Sequence, residues 1–230
     1  MPRHDSSGHR CDRCRMHRSL CLCVILPSLS TRTQLVLVLH QLEARKTTNT
    51  GRIAALCLPG SRIVVRGRDD RAALGPGPPP LLWAEGTQPV LLFPHDSARP
   101  IEAWRGSPAP VTLIVPDGTW SQAIRTRKRI PGLAEVPCAA LSDASSLTAA
   151  RYRLRHDGRP DRLSTLAAIA IALGVLEGAG VQQALERALA MMVERTLWTN
   201  GRIRSSDVTG GIPQGAQSHD PLGRGQRDVV

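Results

Sequence analysis

Short runs of apolar, mostly branched residues alternate along the chain with stretches of helical spacing. Gln34–Leu39 reads Gln-Leu-Val-Leu-Val-Leu and ends at His40. Arg62–Gly67, Pro89–Pro94 and Val111–Val115 repeat the pattern, with turn residues at their borders. Runs this short predict strands, and those at 34–39 and 111–115, apolar at consecutive positions, read as buried. Pro116 is expected to end the fourth. Glu43 to about Leu56 carries polar residues and then a helical stretch, with Asn49-Thr50-Gly51 inside it. Another helical pattern begins at Ser121–Arg125. Ser164 or Thr165 caps a helix through Ala167, Ile169, Ile171, Leu173 and Leu176, apolar nearly all round and hence buried. A last helix, about Val181 to Leu197, sets Leu185, Leu189, Met192 and Val193 on one face. Met191 and Met192 read as core there. Strands alternating with helices predict an α/β domain with a largely parallel sheet.

The remaining segments resist regular structure. Gly75–Pro80 excludes helix and inner strand and reads as a surface loop. Residues 1–10 and 205–230 hold little to bury and are expected to be disordered. The expected division is therefore 1–10, a cysteine module at 11–26, an α/β domain at 27–204, and a tail at 205–230.

Composition adds a partner. Hydrophobic content is 41%, and no apolar stretch approaches the length that spans a bilayer. Met1–Arg10 lacks the apolar core of a secretory signal, so a cytoplasmic location is the default expectation. The net charge of +11 comes almost wholly from Arg. A basic surface draws polyanions, and nucleic acid is the commonest in cytoplasm. Arg125, Arg127, Lys128 and Arg129 form one candidate RNA-binding cluster, with a solvated helix face as the alternative. Arg151, Arg153 and Arg155 form another, which alternation places on one face of an extended segment.

Cys11, Cys14, Cys21 and Cys23 fall within thirteen residues. Cytosolic thiols stay reduced, which argues against disulfides. Four thiolates at this spacing suit a tetrahedral Zn²⁺ site, and Arg13, Arg15, His17 and Arg18 offset its charge. A redox pair or an empty vestige are the competing readings, and His17 is an alternative fourth ligand. Cys57 and Cys138 sit in apolar company and read as core.

Asp117-Gly118-Thr119-Trp120 joins the fourth strand to the next helix. Open α/β sheets bind ligands at such carboxyl ends. With aromatics at 3%, an indole there suits a pocket wall. A tight turn with a helix cap is the plainer reading. Neither a dinucleotide fingerprint, a P-loop nor a serine elbow occurs.

Taken in order, several segments resemble the DTW-domain family, the tRNA-uridine aminocarboxypropyltransferases. They are Cys11-x-x-Cys14 with Cys21-Leu22-Cys23; His40-x-x-Glu43 before Thr48-Asn49-Thr50-Gly51-Arg52; Leu91-Leu92-Phe93-Pro94; Asp117-Gly118-Thr119-Trp120; and Tyr152–Arg155 before Leu163–Ala168. The resemblance covers about residues 11–195. It implies a SPOUT-like fold with a knotted cofactor site and a small N-terminal zinc-binding module. It implies transfer of the 3-amino-3-carboxypropyl group of S-adenosylmethionine to N3 of a tRNA uridine, with tRNA as partner and no obligate protein partner. Asp117, Thr119 and Trp120 are the implied catalytic residues. Leu91, Leu92, Phe93, Pro94, Trp120, Asn49, Thr50, Gly51, Arg52, Thr165 and Ala168 are the implied cofactor site. Within it, Thr165 is the candidate for the amino acid end and Arg52 for its carboxylate. Ribosomal RNA as substrate, or RNA binding without catalysis, are the alternatives. One departure is Ala167, where the family usually carries Glu; Glu43 and Asp161 are the candidate carboxylates to stand in for it.

Overall fold

The computed structural model describes residues 9–67, 81–142 and 163–216. The proline-rich loop at 75–80, the arginines at 151–155 and Asp161 lie outside them. Six strands, all parallel, form one sheet: β1 (Gln34–His40), β2 (Arg62–Arg66), β3 (Gln88–Leu92), β4 (Arg99–Pro100), β5 (Val111–Asp117) and β6 (Cys138–Ala140). Their spatial order is β2-β1-β5-β3-β6-β4. The helices are α1 (Gln41–Ala44), α2 (Thr50–Cys57), α3 (Trp120–Arg129), α4 (Thr165–Glu177) and α5 (Ala179–Thr199).

Continuous apolar strands have two covered faces, and the packing shows both. Leu35, Leu37 and Leu39 of β1 point into one core with Leu113 and Val115 of β5 and the helices α2, α4 and α5. Val36, Val38 and Ile114 point the other way, to Leu91, Phe93 and α3. The first core also contains Cys14, Met16, Leu20 and Leu22, so the cysteine module packs on the α4–α5 face. Cys57 and Cys138 are buried, as expected.

Four boundaries differ from expectation. Pro116 does not end β5: it stays in register with Val38, and the strand runs on to Asp117. Pairing with β3 stops at Ile114, so beyond it β5 has one neighbour and a residue without N–H is tolerated. The stretch from Glu43 to Leu56 is split, because Asn49 caps a fresh helix: its side chain accepts from the Arg52 N–H at 2.9 Å. Residues 205–216, expected in a disordered tail, instead carry a short 3₁₀ turn at Ser205–Asp207 and bury Val208 and Ala216. The Thr209 N–H there donates to Glu194 of α5 at 2.6 Å. At the front, Arg10 bridges to His17, so expected disorder does not reach the last residue of 1–10.

Glu177 fixes the opposite end of the sheet. From the last turn of α4 it accepts the backbone N–H groups of Arg32 (3.0 Å) and Thr33 (2.7 Å) and the Thr33 hydroxyl. Gly178 then turns the chain into α5 at φ +110°, a conformation that favours glycine. Leu113 lies fully buried on central β5. Leu113→Ala is expected to cost about 2–5 kcal/mol of stability, measured by denaturant unfolding.

Candidate active site

The carboxyl ends of β1, β3 and β5 meet the amino ends of α2, α3 and α4. Asp117 closes β5 at the centre. Its Oδ2 accepts from Asn49 Nδ2 at 2.7 Å, and its Oδ1 accepts from Thr165 Oγ1 at 2.7 Å. Asn49 caps α2, and Thr165 is the first residue of α4, capped by Ser164. One carboxylate thus ties a strand end to two helix starts. A second link runs between the helices, where the Leu166 N–H donates to Thr50 Oγ1 at 3.3 Å.

Gly51 makes this approach possible. A Cβ there would lie 2.7 Å from Asp117 Oδ2 and 3.1 Å from the Leu37 methyl groups. Asn49, Thr50 and Gly51 are all buried. Arg52 is half-buried, and its Nη2 donates to Ala44 O at 3.0 Å. Burial lowers its pKa, and the charge of Arg15 from the cysteine module adds to the effect. Its buried Nε has no hydrogen-bond partner among the described residues.

Thr119 is the N-cap of α3. Its Oγ1 accepts from the Gln122 N–H at 3.3 Å, and its own N–H donates to Gln122 Oε1 at 2.7 Å, completing a capping box. The hydroxyl expected in chemistry is therefore engaged in the helix start. Trp120 follows, stacked on Phe93 with ring centroids 4.8 Å apart and planes 22° from parallel. Phe93 is buried, whereas Trp120 is 51% exposed. The pair forms a flat aromatic platform beside Asp117, open on one side. Leu91 packs in the same core as Phe93, Leu92 turns to the opposite face of the sheet, Pro94 is exposed, and Ala168 is half-buried on α4.

Two side chains escaped the sequence reading. His40 Nδ1 accepts from the Leu42 N–H at 3.3 Å and lies 3.1 Å from Gln122 Nε2. Gln122 thereby joins the end of β1 to the Asp117–Trp120 turn. The only local signal was His40 at a strand end. Thr165, expected to hold the amino acid end of a ligand, donates its hydroxyl to Asp117. Ala167 is fully buried at the third position of α4, where Ser164 Oγ accepts its N–H at 3.2 Å. Half a capping box is present, and the acid that would complete it is absent. Glu43 pairs with Lys46 at 2.6 Å on α1.

The basic cluster of α3 divides. Arg125, Lys128 and Arg129 are exposed, while Arg127 donates to Ala134 O at 2.9 Å and braces the turn after the helix.

The cysteines form a second site. The Sγ atoms of Cys11, Cys14, Cys21 and Cys23 all lie within 4.8 Å of one another. Cys11–Cys23 and Cys14–Cys21 are each 3.7 Å apart, and all four are free thiols. A tetrahedron with metal–sulfur bonds of about 2.3 Å has edges of about 3.8 Å, so the spacing fits a thiolate-bound ion. Burial raises the Cys11 thiol, but hydrogen bonds from the backbone of Cys14 and Arg13 and from Cys21 and Cys23 outweigh it and bring it to about 6. Burial and sulfur neighbours push Cys23 well up. His17 is not among the clustered donors; its Nδ1 faces Ser19 at 3.1 Å.

Gly51→Ala is expected to displace the Asp117 carboxylate. Alanine normally favours a helix over glycine by about 1 kcal/mol, so a fall in melting temperature would show the crowding outweighing that gain.

Comparison with known proteins places this geometry. A family profile described as the DTW domain matches residues 8–197. The chain is 31% identical over 202 residues to tRNA-uridine aminocarboxypropyltransferase 2 of Macaca fascicularis, covering 85% of this chain and 66% of that protein. The Mus musculus protein of the same name is 29% identical over 214 residues, covering 88% and 68%. That of Drosophila melanogaster is 28% identical over 204 residues, covering 85% and 77%. The chain thus spans about two thirds of the length of the mammalian relatives it matches. No solved structure matches it. With a match over most of its length that includes Asp117 and Trp120, the chain belongs to the DTW-domain family.

Proposed function

We propose that this chain is a tRNA-uridine aminocarboxypropyltransferase with S-adenosylmethionine as co-substrate. The observation that carries the proposal is the Asp117 clasp beside the open Trp120–Phe93 platform, at the strand ends of an all-parallel sheet. The relatives' names support the class of reaction. A SPOUT-like knotted path around this site belongs to the same proposal.

The co-substrate offers three carbons on its sulfonium, so positioning decides which is transferred. In the proposed reaction uridine N3 attacks the methylene of the aminocarboxypropyl chain. The N3–C bond forms, the C–S bond breaks, methylthioadenosine leaves as a neutral thioether, and the N3 proton is lost to a base. Trp120 and Phe93, with Leu91, Leu92, Pro94 and Ala168, form the proposed adenine wall. Arg52, with its unpartnered Nε, is the proposed partner of the ligand carboxylate. Asp117 already accepts from Asn49 and Thr165. We assign it first to holding the site's shape and an anion beside the sulfonium, and then to placing the uridine. Thr119 supports it by fixing the turn.

Exposed Arg125, Lys128 and Arg129 suit contacts to tRNA phosphates, and so does the arginine run at 151–155, outside the described residues. Among the described residues no helix is long and apolar enough to cross a membrane. A cytoplasmic site of action is part of the proposal. The cysteine cluster is proposed to hold structural Zn²⁺ through Cys11, Cys14, Cys21 and Cys23, which would supply a rigid crosslink for the N-terminal loops.

Incubated with unmodified tRNA and S-adenosylmethionine, the protein is expected to yield 3-(3-amino-3-carboxypropyl)uridine and methylthioadenosine by nucleoside mass spectrometry. Asp117→Asn presents an amide N–H₂ to one of two existing donors, breaking the clasp, and is expected to lower turnover by about 100-fold or more. Full turnover by a folded variant would refute the role. Metal analysis is expected to find one zinc per chain. Because the thiols must lose protons to bind it, chelator competition should show affinity rising from about pH 6 to about pH 8.

A further inference from the structure

Arg195 lies near the carboxyl end of α5 and is 2% exposed, one of the largest fully buried side chains in the described residues. Its Nη1 donates to Leu20 O at 3.1 Å and to Cys21 O at 3.0 Å. Its Nε is buried and has no hydrogen-bond partner among the described residues. No carboxylate lies within ion-pairing distance of it among those residues. A buried guanidinium normally carries an anionic partner.

The candidate partner is the cysteine cluster. Cys21 is both a clustered thiol and the residue whose carbonyl Arg195 holds. Burial lowers the Arg195 pKa, while the charges of Cys21 and Cys14 act to raise it. Four thiolates around a divalent ion carry a net charge of −2. The other arginines near the cluster, Arg13, Arg15 and Arg18, belong to its own loops, whereas Arg195 comes from the catalytic domain.

We propose that Arg195 is the positioning residue of the metal centre: it neutralises the metal–thiolate charge from outside the ligand set and docks the cysteine loops on α5. The proposal rests on the metal reading given above. In this arrangement each charge makes the other tolerable. With metal bound, Arg195 has its counter-charge; without it, the guanidinium is a buried cation held by carbonyls alone. Metal loading and docking on α5 are then one event.

The test compares the full chain with Arg195→Met, which keeps a flexible stem and removes the charge, and with Arg195→Lys, which keeps the charge. Zn²⁺ affinity is measured by chelator competition, and melting temperature with and without Zn²⁺. Arg195→Met is expected to bind zinc about 10- to 100-fold more weakly. Its loss of melting temperature should be larger in the zinc-loaded than in the zinc-free protein. Unchanged zinc affinity, or equal losses in both states, would overturn the proposal and leave Arg195 as a carbonyl brace. If Arg195→Met does not fold, Arg195→Lys carries the test: affinity within about 3-fold of the unsubstituted chain supports the charge role, and a loss of about 10-fold overturns it. An unsubstituted chain that takes up no zinc defeats the metal reading itself, and this inference with it.

Discussion

The Asp117 carboxylate accepts one hydrogen bond at each oxygen, from Asn49 of the α2 cap and Thr165 at the head of α4. Those donors stand 68 and 48 residues away along the chain, so the contact closes two long loops at a single point. A charged acceptor makes each bond worth about 1.5–3 kcal/mol, roughly twice a neutral one. The surrounding choices serve that point. Gly51 lacks the Cβ that would collide with it. Pro116 sits where β5 has lost β3 as a neighbour, so Asp117 pairs with β1 alone. Thr119 and Gln122 lock the turn that follows.

Such a clasp sets which surfaces face the cleft. Two helix starts and one strand end arrive together, so backbone N–H groups of α2 and α4 gather around an acid. Trp120 projects from the same turn and is held flat by Phe93. An aromatic face half open to solvent, beside a fixed carboxylate, suits a cationic ligand with a planar ring system. S-adenosylmethionine combines both. The cysteine module stands behind this arrangement: it packs in the same core as α4 and α5, and its Arg15 lies near enough to Arg52 for their charges to interact. Moving a buried cation out of water costs several kcal/mol, and two bonds from Arg195 to carbonyls recover only part of that. In the proposed arrangement a metal–thiolate centre would supply the rest.

Much of this was legible in the chain. Consecutive apolar residues marked β1, β3 and β5 because strands covered on both faces show no polar alternation, while edge strand β2, partly exposed, was marked by its branched Ile63-Val64-Val65 run between turn residues. Ser164 announced a helix start through its own chemistry, whereas Asn49, expected inside a helical stretch, turned out to cap one. The strands β4 and β6 were not visible: Arg99–Pro100 and Cys138–Ala140 are too short for a period and exist only by pairing with neighbours. The packing of 205–216 on α5 was hidden for the same reason, since Val208 and Ala216 find burial only in the folded state. In the site, Asp117 and Trp120 stood out as an acid and an indole at a strand end. The partners of Asp117 did not, because a hydrogen bond between distant residues leaves no local mark. The Thr165 hydroxyl, a ligand candidate from the sequence, donates to Asp117, a link no local pattern announces.

The central claim is that the Asp117 clasp shapes a site for S-adenosylmethionine. Its most direct test is calorimetric binding of that compound to the unsubstituted chain and to Asp117→Ala, with circular dichroism to check the fold. One site per chain is expected, weakened about 10-fold or more when a buried charge partner and the clasp are both lost. Equal affinity in a normally folded Asp117→Ala protein would contradict it.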